Sequence, residues 1–178
     1  HFGQYPEVFL NTELIFSDEL AAFVQALGFN AIIAEGWDHV LGGYHPNHVK
    51  RNTPLPLHPE DSTLIRNFKN QYSHWSKKQS KEFLPVLCKN YKLSDDIAFR
   101  FGNQGWSEYP LKTDKFTHWL KQTHGETINL FMDFETFGEH QWEDTGIFDF
   151  MEALPAQVLE QNMGFKTPSE TIQAYEAR

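Results

Sequence analysis

The sequence predicts an α/β fold built on a parallel sheet, and three observations predict it. The N-terminal stretch PEVFLNTELIFSDELAAFVQALGFNAIIAEG reads as strand, helix, strand, the pattern of a parallel βαβ unit. Two further apolar runs of strand length follow, Phe83 to Cys88 and Ile128 to Met132. In three places such a run leads into a carboxylate, at Glu13, Glu35 and Asp133. In parallel sheets and barrels the C-terminal strand ends form one mouth, and chemistry is placed there.

Taken in order, Val8, Phe9 and Leu10 form a short strand, with Asn11-Thr12-Glu13 at its end. Ser17 is a good helix N-cap, Asp18 and Glu19 suit the first turn, and Leu20, Phe23, Val24 and Leu27 make one apolar face that Gly28 ends. Ala31 to Ala34 is the second buried strand, ending in Glu35-Gly36. Trp37 to Pro59 is rich in glycine and proline and reads as loop. Glu60 to Lys78 carries Leu64, Ile65, Phe68, Tyr72 and Trp75 on one helical face, and its Lys, Asn and Gln content suggests a surface insertion. Phe83 to Cys88 reads as a strand despite Pro85. Ser94-Asp95-Asp96 can cap a short helix over Ile97 to Phe101, and Gly102 to Pro110 is a loop. Thr113 starts a helix with Phe116, Trp119 and Leu120 inward. Ile128 to Met132, after the turn signal His124-Gly125, reads as the fourth strand. Gly146 to Asn162 is helical, interrupted or restarted at Pro155, and Thr167-Pro168-Ser169-Glu170 is a capping box that opens a last helix.

Composition narrows the function classes. A chain of 178 residues fits one domain or a piece of a larger one. A net charge of −9 argues against a nucleic-acid partner, which calls for a basic face. The single cysteine, Cys88, allows no internal disulfide and no cysteine-built zinc site, and fits a reducing, cytoplasmic setting. There is no apolar run of roughly 18 residues, so no membrane span is expected. Sixteen Phe and five Trp supply a core and leave aromatic surface that suits flat sugar faces.

The chemistry concentrates in INLFMDFETFGEHQWE, Ile128 to Glu143. If the chain stays extended past the strand, Asp133 and Glu135, two residues apart, point to the same side. Gly138, Glu139, His140 and Trp142 follow. Such a cluster suits a sugar-binding or metal-binding mouth; the spacing equally allows a strand end whose acids cap a following helix. Paired carboxylates can cleave a glycosidic bond, with retention at about 5 Å separation and inversion at about 6.5–9.5 Å. Acids can also hold a hard metal. The remaining candidates have plain structural readings beside the functional ones. Asp95-Asp96 suits a helix N-terminus, His45 and His48 a solvated loop, Trp106-Ser107-Glu108 a loop or a sugar subsite, and Cys88 an inert core position.

MDFETFGEHQWEDTGIFDF, PEVFLNTELIF, GFNAIIAEGWDHVLG and LSDDIAFRF together resemble glycoside hydrolase family 57, in its α-amylase-type branch. The resemblance runs from about Pro6 to Tyr175. It implies a partial (β/α)7-type barrel, parallel strands with helices outside, and a retaining mechanism on α-glucans with a Glu nucleophile and an Asp acid/base. The family's nucleophile motif fits Pro6, Phe9, Glu13 and Phe16, which makes Glu13 the nucleophile and Glu35, in AEGWDH, its rival and otherwise a secondary active-site residue. Asp133 matches the acid/base position. Glu135 and His140 match the same motif as substrate contacts or supports of Asp133, and Trp142 could stack on a sugar ring or equally serve the core.

The family's opening His-Gln-Pro strand and a second Glu-containing strand have no counterpart here, so residues 1–178 read as one domain, a portion of a catalytic barrel lacking its N-terminal strands. The resemblance implies an α-glucan or maltooligosaccharide as partner and no metal or other cofactor. To act as an acid Asp133 needs a raised pKa, which burial beside Phe131 and Phe134 and the neighbouring carboxylates could supply. A glucanotransferase or branching enzyme and a non-catalytic glucan-binding homologue are the alternatives. Metal-dependent deacetylation would need a His-x-x-x-His pair, and no two histidines have that spacing.

Overall fold

A computed structural model describes residues 5–43, 45–53, 55–57, 61–71 and 82–178. The chain divides into two compact units, one of residues 1–89 and 166–178, the other of residues 90–165.

The first unit is α/β. Its strands are β1 (Val8–Leu10), β2 (Ala31–Ala34), β3 (Val49–Asn52) and β4 (Leu84–Cys88), in the spatial order β1-β2-β4-β3. β1 pairs parallel with β2, and β2 parallel with β4. β4 is buried at every position, as a central parallel strand should be. The crossover from β1 to β2 is α1 (Asp18–Leu27), capped by the Ser17 hydroxyl on the Leu20 N–H and closed by Gly28 at φ 99°. Ala21, Val24, Ile32, Ala34, Val86 and Cys88 form the centre of its core. α2 (Asp38–Leu41) follows β2, and α3 (Asp61–Gln71) places Ile65 inward. The capping box of α7 (Pro168–Ala174) is made: the Thr167 hydroxyl accepts from Glu170 N–H and the Glu170 carboxylate accepts from Thr167 N–H.

One expectation changes in this unit, and another is met as far as the described residues reach. β3 lies in the stretch read as loop, and it pairs antiparallel with β4, so the sheet is mixed rather than wholly parallel. Its residues VKRN carry no apolar alternation; the pairing is completed by backbone, with Arg178 N–H donating to Val49 C=O and Arg51 N–H donating to Arg178 C=O. The helix expected over Glu60 to Lys78 is found as Asp61–Gln71; Tyr72, Trp75 and the rest of the supposed insertion lie outside the described residues.

The second unit is helical among its described residues, with α4 (Tyr91–Ala98), α5 (Thr113–Gln122) and α6 (Ile147–Glu160) around a core of Ile97, Phe101, Phe116, Leu120, Ile147, Phe150 and Leu154. Phe150 packs edge-on against Phe101 and Phe116, at 5.1 and 5.6 Å between ring centres. α6 runs through Pro155 without a break. The expected fourth strand, Ile128 to Met132, is not a strand. Its apolar side chains Ile128, Leu130 and Met132 pack on the core, but its backbone bonds to α4 instead of to a neighbouring strand. Asn129 C=O accepts from Asn90 N–H at 2.8 Å, and Phe131 N–H donates to the Ser94 hydroxyl at 3.1 Å. The same contact corrects the helix cap: Asn90, not Ser94, is the N-cap, and Ser94 is fully buried inside the helix with Asp95 and Asp96 beyond it.

Candidate active site

In the first unit, three parallel strands deliver Glu13, Glu35 and Lys89 to one edge of the sheet. β1 does not end directly in Glu13. A 3-10 turn over Thr12–Leu14 intervenes, and Glu13 and Leu14 both take left-handed backbone, at φ 53° and 54°. That conformation costs a non-glycine residue roughly 1–2 kcal/mol, and strain of this kind collects at functional sites where surrounding structure over-determines it. Here the surroundings are identifiable. Leu14 is buried, Leu14 N–H donates to Asn11 C=O at 3.1 Å, Asn11 Nδ2 donates to Ile15 C=O at 3.3 Å, and Glu35 N–H donates to Leu14 C=O at 3.2 Å. The Glu13 side chain is left exposed.

Glu35 is differently placed. Its Oε1 accepts from Gly36 N–H at 2.9 Å and its Oε2 from Lys89 Nζ at 3.2 Å. Both partners of the ion pair are mostly covered, Glu35 at 17% exposure and Lys89 at 14%. A Cβ on Gly36 would lie 1.8 Å from the Lys89 carbonyl oxygen, so only glycine lets β2 and β4 approach this closely beyond their ends. Sequence reading missed Lys89. Its signal was available: it follows the apolar run of β4 as Glu35 follows that of β2.

In the second unit, Asp133 follows the extended, non-strand segment with backbone still extended (φ −69°, ψ 151°) and its side chain exposed. The burial beside Phe131 and Phe134 expected for it is not found: Phe134 is 89% exposed. Nor does the alternation expected of Asp133 and Glu135 hold, because Phe134–Thr136 is a 3-10 turn rather than extended chain. Glu135 and His140 are exposed, and among the described residues neither side chain bonds to Asp133. His140 lies beside the exposed ring of Phe99, at 6.2 Å between centres. Trp142 is 67% exposed, so it does not serve the core. Asp133, Phe134, Glu135, His140 and Trp142 thus form one acidic and aromatic surface loop.

The loop is pinned by a residue the sequence reading passed over. Gln141 is buried; its Oε1 accepts from Gly102 N–H and its Nε2 donates to Ala98 C=O, both at 2.9 Å. Its backbone N–H donates to Thr136 C=O, and its C=O accepts from Gly138 N–H. The available signal was a glutamine flanked by exposed-type residues inside the motif, with both amide functions to satisfy.

Among the described residues, no group of three or more His, Cys, Asp or Glu side chains gathers so as to hold a metal ion, and no helix is long and apolar enough to cross a membrane. His45 and His48 stand 6.3 Å apart, ring centre to ring centre.

The comparisons with known proteins agree with these motifs. The chain is 38% identical over 178 residues to a protein of Methanocaldococcus jannaschii named "Putative alpha-amylase", covering 99% of this chain and 32% of that protein. The chain therefore spans about a third of that relative's length. No solved structure matches it. The sequence profile of "Glycosyl hydrolase family 57" matches residues 1–178, its whole length, and the chain belongs to that family.

Proposed function

We propose that this chain is the portion of a retaining, α-glucan-active glycoside hydrolase that carries both catalytic carboxylates, in a partial (β/α)7-type barrel. The named relative and the family support an α-amylase-like activity on α-1,4-glucosidic bonds. Ionised Glu13 attacks the anomeric carbon while Asp133 protonates the departing glycosidic oxygen; water then attacks the glycosyl-enzyme, giving its proton to Asp133 and releasing Glu13. Glu35, Glu135, His140 and Trp142 contact the sugar, and no cofactor takes part. The single cysteine supports a reducing, cytoplasmic setting.

The observation that carries the reading is the contrast between the two candidate nucleophiles. Both oxygens of Glu35 are occupied, one by Gly36 N–H and one by Lys89, and the side chain is largely covered. Glu13 is exposed on a left-handed turn held from three sides. A carboxylate in an ion pair is a poor nucleophile, whereas an exposed one on a fixed backbone can reach a sugar.

The test is release of reducing ends from amylose and from a short maltooligosaccharide by the complete protein, with Glu13→Gln, Asp133→Asn and Glu35→Gln alongside. Loss of turnover in the first two with folding intact supports the assignment. Products longer than the substrate would reassign the enzyme as a glucanotransferase or branching enzyme. Glucan binding without turnover by the unsubstituted protein would make it a binding homologue.

A further inference from the structure

We infer that Gln141 is a positioning residue for proton donation by Asp133, acting through the backbone of its own loop; the inference rests on the reading of Asp133 as the acid/base. Asp133 stands at the start of a loop in which Phe134, Glu135, Gly138, Glu139, His140 and Trp142 are exposed, while Thr136 is buried and Phe137 packs on the helical core. Beside these two side chains, internal backbone bonding that converges on Gln141 fixes the loop. Thr136 N–H donates to Asp133 C=O at 3.1 Å, Gln141 N–H donates to Thr136 C=O at 2.9 Å, and Gly138 N–H donates to Gln141 C=O at 2.9 Å. The Gln141 amide then ties this closed loop to the end of α4 and the turn after it, through Ala98 C=O and Gly102 N–H.

An amide is the group this place requires. It must offer a donor to a carbonyl at the end of a helix and an acceptor to a backbone N–H four residues on, in one plane and away from water. Leucine of similar size would leave both backbone groups without a partner. Glutamate would set an acceptor against the Ala98 carbonyl. Gly102 fits the same arrangement: a Cβ there would lie 2.7 Å from Gln141 Oε1 and 2.9 Å from Thr145 Cγ2, so glycine leaves the room in which the amide sits.

The experiment uses the complete protein and two substrates that differ in their need for an acid. A maltooligosaccharide has a sugar alcohol as leaving group and needs a proton; α-maltosyl fluoride has a better leaving group and needs it far less. For Gln141→Leu, kcat/KM on the oligosaccharide falls by roughly 10²-fold, the cost of misplacing a catalytic group by about 1 Å, while kcat/KM on the fluoride falls only a few-fold. Gly102→Ala shifts the amide without removing it and gives the same leaving-group pattern; if Gln141→Leu does not fold, Gly102→Ala decides the question. Equal losses on both substrates, or no loss on either, would overturn the inference and leave Gln141 a structural tie. Asp133→Asn is the reference: if it shows no leaving-group dependence, the acid/base reading itself fails. If it does while the Gln141 and Gly102 variants do not, only the inference about Gln141 fails.

Discussion

The backbone N–H of Glu35 donates to the carbonyl of Leu14 at 3.2 Å, which ties the end of β2 to the left-handed turn that presents Glu13. The turn spends conformational energy that a less demanding residue would recover. Asparagine tolerates left-handed backbone better than glutamate. Glu13→Asn is therefore expected to stabilise the fold by up to roughly 1 kcal/mol while abolishing glucan cleavage. Urea unfolding of the complete protein beside its activity checks both halves; a destabilised Glu13→Asn would mean that the turn is not strained.

The Glu35–Lys89 pair predicts a coupled loss. Both side chains are less than a fifth exposed, so removing the ammonium alone leaves a covered carboxylate with one of its two partners. Lys89→Met is expected to cost about 3 kcal/mol, the lower end for breaking a buried pair, because both side chains keep some exposure. Glu35→Gln combined with Lys89→Met should cost clearly less than the sum of the two single changes. Additive losses in chemical denaturation would show that the pair contributes nothing as a pair.

Cys88 gives a prediction about reactivity. Burial in the β4 core pushes its thiol up to about 11, against a smaller lowering by Lys50. At about pH 8 that leaves on the order of one thiolate in a thousand, and the thiol is covered as well. In native protein Cys88, followed on its own peptide by mass spectrometry, should resist alkylation by iodoacetamide and react only once urea has unfolded the chain. Rapid labelling of folded protein would contradict the packing around β4.

Asp96 gives a pH dependence of defined sign. Its carboxyl is raised above the ordinary aspartate value, chiefly by burial, which outweighs the hydrogen bond and charge of Arg100 at 2.6 Å. The folded state therefore holds this proton more tightly than the unfolded chain. Its contribution to stability is fully present below the unfolded value and is lost as pH rises through the folded one. Relative to Asp96→Asn, the unsubstituted protein should gain stability on going from about pH 7 to about pH 4. A constant difference across that range would show that Asp96 is not desolvated.

The βαβ unit was legible because every local signal agreed: Ser17 at the cap, Gly28 at the stop, and apolar strands on either side. The capping box at Thr167 was readable for the same reason. Ile128 to Met132 was misread because apolar content reports burial, and burial alone does not say whether the backbone bonds to a strand or, as here, to Asn90 and Ser94. β3 was invisible because its pairing rests on main-chain bonds under polar side chains. The motif acids were legible as chemistry. Lys89 and Gln141 were not, because their roles consist in what they touch across 54 and 39 positions of sequence, at Glu35 and Gly102.

Trapping the covalent intermediate tests the choice of Glu13 as nucleophile. The complete protein, preferably as Asp133→Asn to slow turnover of the intermediate, would be incubated with a 5-fluoro-α-glycosyl fluoride, digested and mapped by mass spectrometry. Double displacement through Glu13 predicts a glycosyl adduct on the peptide that contains Glu13, absent in Glu13→Gln. An adduct on the peptide containing Glu35 would contradict the choice of nucleophile, and no adduct from a protein that cleaves glucan would contradict the double displacement itself.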